Sequence, residues 1–420
     1  AHGKYGSGNW GRLVSPAVTL ADEGFELSEA LAGSFEYAVR SMEEYPASLE
    51  KFTKQGELYQ AGDLWVQPDL AMTLERIRDQ GRDGFYQGET ARLIAQEMER
   101  GGGLITEEDL ARYEAQERTP IHGTYRGYDI ISMPPPSSGG TALVEMLNIL
   151  EGYDLAQMGH NSPEYLHYLA EAMRRAFRDR ARYLADSDFA DPPLDRLTSK
   201  EYAASLREEI QPNRASVSKP SDVRVADESP ETTHYSVVDA DGMAVSVTYT
   251  LEAGYGSKIV VPGGGFLLNN EMGDFNAAPG LTTETGLIGT EPNLARPEQR
   301  MLSSMTPTII ARDGDLFAVV GSPGGRTIIN SVLQVTLNLI DFGMTMQEAV
   351  EARRIHHQWL PDQIRGEEGV VSQAAAAELE EMGHTLSLRG TQGQTHCIKL
   401  DPETGEPVGA PDPRDRDSGA

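Results

Sequence analysis

The sequence predicts a layered α+β protein whose chemistry sits at the start of a β-hairpin. Two textures and one motif carry that prediction. Before about residue 231 apolar residues recur at three- and four-residue spacing, as on helices. After residue 232 they alternate, as on strands. Where the textures meet stands ETTHYSVVDADGMAVSVTYTL, residues 231–251. Residues 233–238 and 244–250 alternate around Asp239-Ala-Asp-Gly242, a turn sequence, so the stretch reads as two paired strands.

Residues 15–42 read as helix, interrupted near Gly24, and 68–79 as a second helix with Asp69 in its first turn. Residues 83–86 read as a turn, and 89–100 as a helix stopped by three glycines. Thr106 can cap a helix that carries Asp109 at its third position. A strand over 125–132 runs into MPPPSSGG, whose prolines extend the backbone before a helix over 141–150. The longest helical pattern is 163–186, with Arg174, Arg175, Arg178, Arg180 and Arg182 at its middle. In an acidic protein these are expected to pair with carboxylates. An exposed loop is expected over 212–230. Strands follow at 258–261, 305–311 and 317–320, then helices at 327–340 and 345–353. The change of texture near 231 fits a domain boundary, and fits equally a processing site within one layered domain.

The composition excludes several functions. A net charge of -29 argues against nucleic acid or an anionic membrane surface as partner. No apolar run approaches the length of a membrane-spanning helix, and the opening AHGKYGSGNWG has no apolar core of a signal peptide. Only seven of the 36 basic residues are lysine, a composition suited to high salt and also produced by a GC-rich genome. Cys397 is the sole cysteine, so no intrachain disulfide forms; within QTHCIKL it is expected to pack as a small hydrophobe.

At the start of the hairpin, Thr232 has a hydroxyl that is a poor nucleophile at neutral pH. Cutting the chain before it would add a free amine, with a reference pKa near ~8, as a local base. Further on, VPGGGFLLNNEMGDFN (261–276) gathers polar groups beyond an apolar run, and RMLSSMTPT (300–308) offers adjacent serines before a strand. GSPGGRT (321–327) joins a strand to a helix. Its successive N–H groups suit a phosphate or an oxyanion, although such turns also serve structure alone. It is neither a Walker loop nor GxGxxG, and no GxSxG elbow is present. His356-His357 is a weak ligand pair, read as helix-end packing, and the sequence calls for no metal or cofactor.

Together these blocks resemble the γ-glutamyltransferase (γ-glutamyltranspeptidase) family of N-terminal nucleophile hydrolases. TTHYSVVDADGMAVSVTYT, FLLNNEMGDF, LSSMTPT, GSPGG, RIHHQWLPD and, upstream, GGLITEEDLARYEAQERTPIHGTYRGYDIISMPPPSSGG occur in the family's order. The resemblance runs nearly end to end. It implies a four-layer αββα sandwich and a precursor that cuts itself between Glu231 and Thr232. Residues 1–231 would then be part of a large subunit and 232–420 the small subunit, both in one αββα domain. It further implies Thr232 as nucleophile, Thr250 as its orienting partner, and the N–H groups of Gly324 and Gly325 as the oxyanion hole. Ser303 and Ser304 would hold the substrate α-carboxylate, and Glu271 and Asp274 its α-ammonium. The implied donor is a glutathione-like γ-glutamyl amide, resolved by water or by an amino-acid or peptide acceptor. No cofactor is implied, and the implied compartment is periplasmic or extracellular.

Three departures from the family pattern bear on the pocket. Glu252 stands where asparagine is usual, adding a carboxylate toward the same ammonium. Thr285 replaces the gating tyrosine of some bacterial members, which implies a more open pocket. The family's N-terminal portion, with a strand of the central sheet and the arginine that pairs with the substrate carboxylate, is not in this sequence, so Ser303 and Ser304 are expected to lack a cationic partner. The alternatives are a related amidase of the cephalosporin or glutaryl acylase kind, and an inactive paralogue that binds or scaffolds.

Overall fold

A computed structural model describes residues 1–222, 232–276, 279–280, 283–285 and 289–415. The chain divides into two units, residues 1–117 with 254–270 and residues 118–253 with 271–420.

In the first unit the helical pattern of 15–42 becomes two helices, α1 (Trp10–Glu23) and α2 (Glu29–Val39), parted at Gly24, whose φ of 79° ends α1. Side-chain caps set both starts: Asn9 accepts from the Arg12 amide and Ser28 from the Leu31 amide, each at 3.0 Å. Helices α3 (Pro68–Gln80) and α4 (Gly88–Gly101) follow, with Pro68 in the first turn of α3 and left-handed Gly102 closing α4. Residues 83–86 form a short helical turn, Asp83–Tyr86, rather than a plain turn. Thr106 and Asp109 make the expected capping box. The core is aromatic, with Phe35 edge-on to Phe52 and Trp65, and Phe52 edge-on to Tyr255. Residues 258–261 are not a strand. Gly263 and Gly265, both at φ 71°, fold the chain back so that only Val260 bridges to Leu267.

The second unit is built on a six-stranded antiparallel sheet. The expected single strand over 125–132 is a hairpin, β1 (Ile121–Tyr125) and β2 (Tyr128–Ser132), because Arg126 and Gly127 take positive φ and turn the chain. Helices α5 (Gly139–Leu150) and α6 (Pro163–Tyr183) come next, then the strands β3 (Thr233–Val238) and β4 (Ala244–Tyr249). Strands β5 (Thr308–Arg312) and β6 (Asp315–Val320) lead to helices α7 (Thr327–Ile340) and α8 (Met346–Glu351). Three short strands, β7 (Ile355–His356), β8 (Ile364–Gly366) and β9 (Leu386–Leu388), form a separate small sheet. Finally β10 (Cys397–Leu400) and β11 (Pro407–Ala410) complete the main sheet in the order β11-β10-β6-β5-β2-β1.

Every residue of α5 is buried, and so is all of α7 from Ile328 to Leu339, because both helices lie in the main core between the sheet and α6 or α8. Burying each Leu or Ile there contributes roughly 2 kcal/mol. Ile130, Ile310, Ala318 and Val320 share the sheet face turned to these helices. Val319 alternates to the other face and is fully buried outside that cluster; the β3–β4 hairpin packs on β5, β6 and β10 and covers it. Helices, main sheet and hairpin therefore stack in α, β, β order within this unit.

The arginines of α6 divide. Arg174 and Arg175 pair with Glu171, and Arg178 lies 3.4 Å from Asp179, as expected. Arg180 also reaches serines, donating to Ser138 and Ser304. The loop expected from 212 onward is only partly exposed: Ala215 and Ser218 are buried, and Ser216 donates to Glu171. Its continuation past 222, including Glu231, lies outside the described residues. Cys397 is buried against the Gly321 carbonyl, and desolvation pushes its thiol up to about 12, far from reactive. His356 and His357 lie at a strand end rather than a helix end, and burial keeps both well below the usual imidazole range. No helix among the described residues is long and apolar enough to cross a membrane.

Candidate active site

The nucleophile candidate is positioned by strand register. Thr233 pairs with Tyr249 and each pair steps evenly to Val238 and Ala244 at the turn. The turn is fixed by Asp239, whose side chain accepts from the amides of Asp241 and Met243, and by Gly242 at φ 84°. Carried one pair further, the register sets Thr232 opposite Thr250. The Thr250 hydroxyl oxygen accepts from the Glu252 amide at 2.9 Å, which leaves its proton to donate.

His234 ties this strand to the glycine turn. It is buried between Thr248 and Ser236, at 2.8 and 3.2 Å, and burial, then the nearby His396, lowers it to about 3. A Cβ on Gly321 would stand 1.9 Å from its ring, so only glycine lets the imidazole and the turn meet. Ser246 adds a bond to the Val320 carbonyl at 3.3 Å. Its buried, neutral ring fills the space between β3 and the glycine turn.

Beyond β6 the chain turns through Gly324 at φ 126° and Gly325 at φ 55° into α7. Their carbonyls accept from Thr327 and Ile328, both at 3.1 Å, while their own N–H groups meet no protein acceptor among the described residues. Two adjacent amides at the positive end of a buried helix are suited to a developing oxyanion. Thr232 and Gly324 line one cleft of about 290 Å³.

Ser303 and Ser304 leave the sheet at the same end, since Thr308 pairs with Val320 across β5 and β6. Both are buried. The Ser303 hydroxyl accepts from the Met305 amide at 3.0 Å, and the Ser304 hydroxyl accepts from Arg180 at 3.1 Å. With each oxygen accepting from a fixed donor, each hydroxyl is set to donate, as a carboxylate requires. The expected lack of a cationic partner is thus corrected. Arg180, buried and bonded also to Ser138 at 2.8 Å, stands directly behind Ser304.

The acids form a second group. Glu252 takes a left-handed φ of 75°, and its carboxylate lies against the 271–274 turn, where a Cβ on Gly273 would stand 3.2 Å from its Oε1. Burial, and then the charge of Glu252, raises Glu271 to about 7. Asp274 belongs to the same turn. Buried Asn293 joins acids to serines, donating to the Asp274 carbonyl at 2.7 Å and accepting from the Leu302 amide at 3.0 Å. Thr285 is exposed, its hydroxyl 2.8 Å from that of Thr283. Among the described residues no cluster of His, Cys, Asp and Glu could hold a metal ion.

Four features carried no sequence signal. The bond of Arg180 to Ser304 gave no sign in the sequence, and Asn293 lies in a loop without a motif. Arg365 and the loop Thr391-Gln392-Gly393-Gln394 line the same cleft as Thr232 and Gly324. That loop presses on the glycine turn, with the Cα of Gly393 3.3 Å from where a Cβ on Gly324 would be.

Residues 1–420 match the family model described as gamma-glutamyltranspeptidase. The chain is 47% identical to the glutathione hydrolase proenzyme of Escherichia coli (strain K12), covering 99% of this chain and 72% of that protein. It is 36% identical to the acylase ACY 1 proenzyme of Pseudomonas sp. (strain SE83), covering 91% of this chain and 66% of that one. The solved structure of a cephalosporin acylase from Bacillus halodurans superposes with a TM-score of 0.85 at 26% identity, covering 98% of this chain and 74% of that one. The layered α+β fold is therefore that of the N-terminal nucleophile hydrolases, as expected. The chain belongs to the γ-glutamyltranspeptidase family.

Proposed function

We propose that this protein cleaves γ-glutamyl amides through a γ-glutamyl ester on Thr232, after its precursor cuts itself between Glu231 and Thr232. The observation that carries the reading is the meeting, at one cleft, of Thr232 with the glycine turn whose amides have no acceptor among the described residues. In this mechanism the freed amine of Thr232 takes the hydroxyl proton as Oγ attacks the γ-carbonyl, and the Gly324 and Gly325 amides receive the oxyanion. Thr250 orients the attacking oxygen. Ser303 and Ser304 donate to the donor's α-carboxylate, while Glu252, Glu271 and Asp274 face its α-ammonium, which fixes the γ-carbon against Thr232. Water or an acceptor amine then releases the acyl group. Residues 1–231 and 232–420 act as large and small subunits of one αββα domain. No cofactor takes part. We assign a periplasmic or extracellular site of action from the family alone.

A second reading, an acylase acting on glutaryl-type amides, draws on the likeness to the two acylases. The acidic group separates the two. A glutaryl chain has no ammonium, so binding it beside Glu252 and Asp274 would strand the buried carboxylate of Glu252. The proposed enzyme therefore hydrolyses γ-glutamyl-p-nitroanilide at least ~100-fold faster, in kcat/KM, than the glutaryl analogue, about 3 kcal/mol of discrimination. A preference for the glutaryl compound would exchange the two readings.

Glu271 adds a pH prediction. Its carboxyl must be ionised to face the ammonium, and in the free enzyme it titrates near 7. Below that pH it is protonated, so kcat/KM for the donor falls as pH drops through about 7. Once the donor is bound, its ammonium holds Glu271 ionised, and kcat lacks this limb. Glu271→Gln removes the limb from kcat/KM. The same acid limb surviving in Glu271→Gln would rule this residue out as its source.

A further inference from the structure

The cleft that holds Thr232 does not include the serine and acid groups assigned to the donor's amino-acid end; its other lining residues are Pro323, Thr327, Arg365 and the 391–394 loop. On the γ-glutamyl reading, a cleft that touches Thr232 but not those groups lies on the side of the scissile carbon where the leaving group departs and an acceptor enters. Among the described residues, Arg365 is the one charged side chain lining it. It projects from the middle strand of the small sheet, between His356 on β7 and Ser387 on β9, which gives it a rigid base. Its Nη2 donates to the Gln358 side chain at 3.2 Å, and that same oxygen pairs with His356 at 2.8 Å. No carboxylate pairs with it among the described residues. The charge that bears on it is Arg326, and burial and that like charge both pull its pKa down. A half-buried guanidinium with an arginine as its charged neighbour calls for an anion.

We propose that Arg365 binds the carboxylate of the acceptor amino acid or peptide, and equally of the leaving group of a glutathione-like donor, and so decides which amines receive the γ-glutamyl group. The proposal rests on the γ-glutamyl reading above. In the transfer step the acceptor's neutral amine attacks the ester carbonyl. Its C–N bond forms as the bond from carbon to the Thr232 Oγ breaks, and the amine proton returns through the Thr232 amine to Oγ. Arg365 takes no part in these bond changes; held by its carboxylate, the acceptor presents its amine to the acyl carbon. The hydroxyl and amide groups of the 391–394 loop border the same space and suit the polar backbone of a peptide acceptor.

The test uses the full chain, γ-glutamyl-p-nitroanilide as donor, and two acceptors, glycylglycine and glycylglycine amide, which differ by the carboxylate alone. The unaltered enzyme is expected to show a KM for glycylglycine at least tenfold below that for the amide, with similar kcat. Arg365→Gln abolishes that preference by raising the glycylglycine KM, and Arg365→Lys, which keeps the charge and loses the planar fork, gives an intermediate ratio. Equal KM values in the unaltered enzyme overturn the proposal without any variant, and so does an undiminished preference in Arg365→Gln or, where that chain fails to mature, in Arg365→Lys. Hydrolysis of the donor alone by the unaltered enzyme monitors the underlying reading. Its absence removes both, whereas hydrolysis without carboxylate preference removes only the role of Arg365.

Discussion

Thr232→Ala leaves a single polypeptide on a denaturing gel and no measurable hydrolysis of γ-glutamyl-p-nitroanilide, where the unaltered chain gives two bands and turnover. On the proposed mechanism one hydroxyl serves both steps. In maturation the Thr232 Oγ attacks the carbonyl of Glu231; in turnover it attacks the γ-carbonyl of the donor. Alanine removes both attacks while keeping the strand, because the hairpin register runs through backbone pairs from Thr233 onward. Loss of a serine nucleophile in a comparable acyl-transfer site lowers kcat by about 10⁶, and a loss of that order is expected here. Two bands from Thr232→Ala, or activity within tenfold of the unaltered enzyme, would refute the assignment.

Gly324→Ala is the second large effect. Gly324 has a φ of 126°, a region that residues with a Cβ seldom enter, at about 1–3 kcal/mol. The new methyl would stand 2.5 Å from the Thr327 hydroxyl, which itself donates to the Gly324 carbonyl at 2.7 Å. The turn must then rotate its amide away from the position of the oxyanion. On the proposed mechanism that amide acts on charge absent from the ground state, so kcat is expected to fall by about 10²–10³ with KM little changed. Single-turnover acylation of matured Gly324→Ala reads this directly. A variant that matures and acylates at the normal rate would show that the turn is structural alone.

The legible parts of this protein were local ones. The hairpin, the helix over 327–340 and the Thr106–Asp109 capping box depend on residues within a few positions of each other, so spacing and turn chemistry specify them. Where local signals compete, tertiary packing decided. The apolar residues 258–261 read as a strand, yet two glycines turn them back. The Arg126-Gly127 corner was invisible inside a run that looks like one strand. The arginines of α6 share one sequence character, and only packing sends Arg174 to Glu171 but Arg180 to Ser304, 124 residues away.

From sequence alone, the resemblance carried by the motifs pointed to candidates for the nucleophile, its threonine partner, the glycine turn and the serine and acid groups. Each motif is a short chemical unit whose residues must be adjacent to function. How those units face one another belongs to the tertiary structure. Asn293 joining acids to serines, His234 against Gly321, Glu271 raised by Glu252 and Arg365 in the cleft of Thr232 are all contacts between distant stretches. Such contacts exist because the sheet and its helices bury apolar surface in one arrangement. The chemistry of each group was in its residue type, but its neighbours, and therefore its charge and its target, came from the fold.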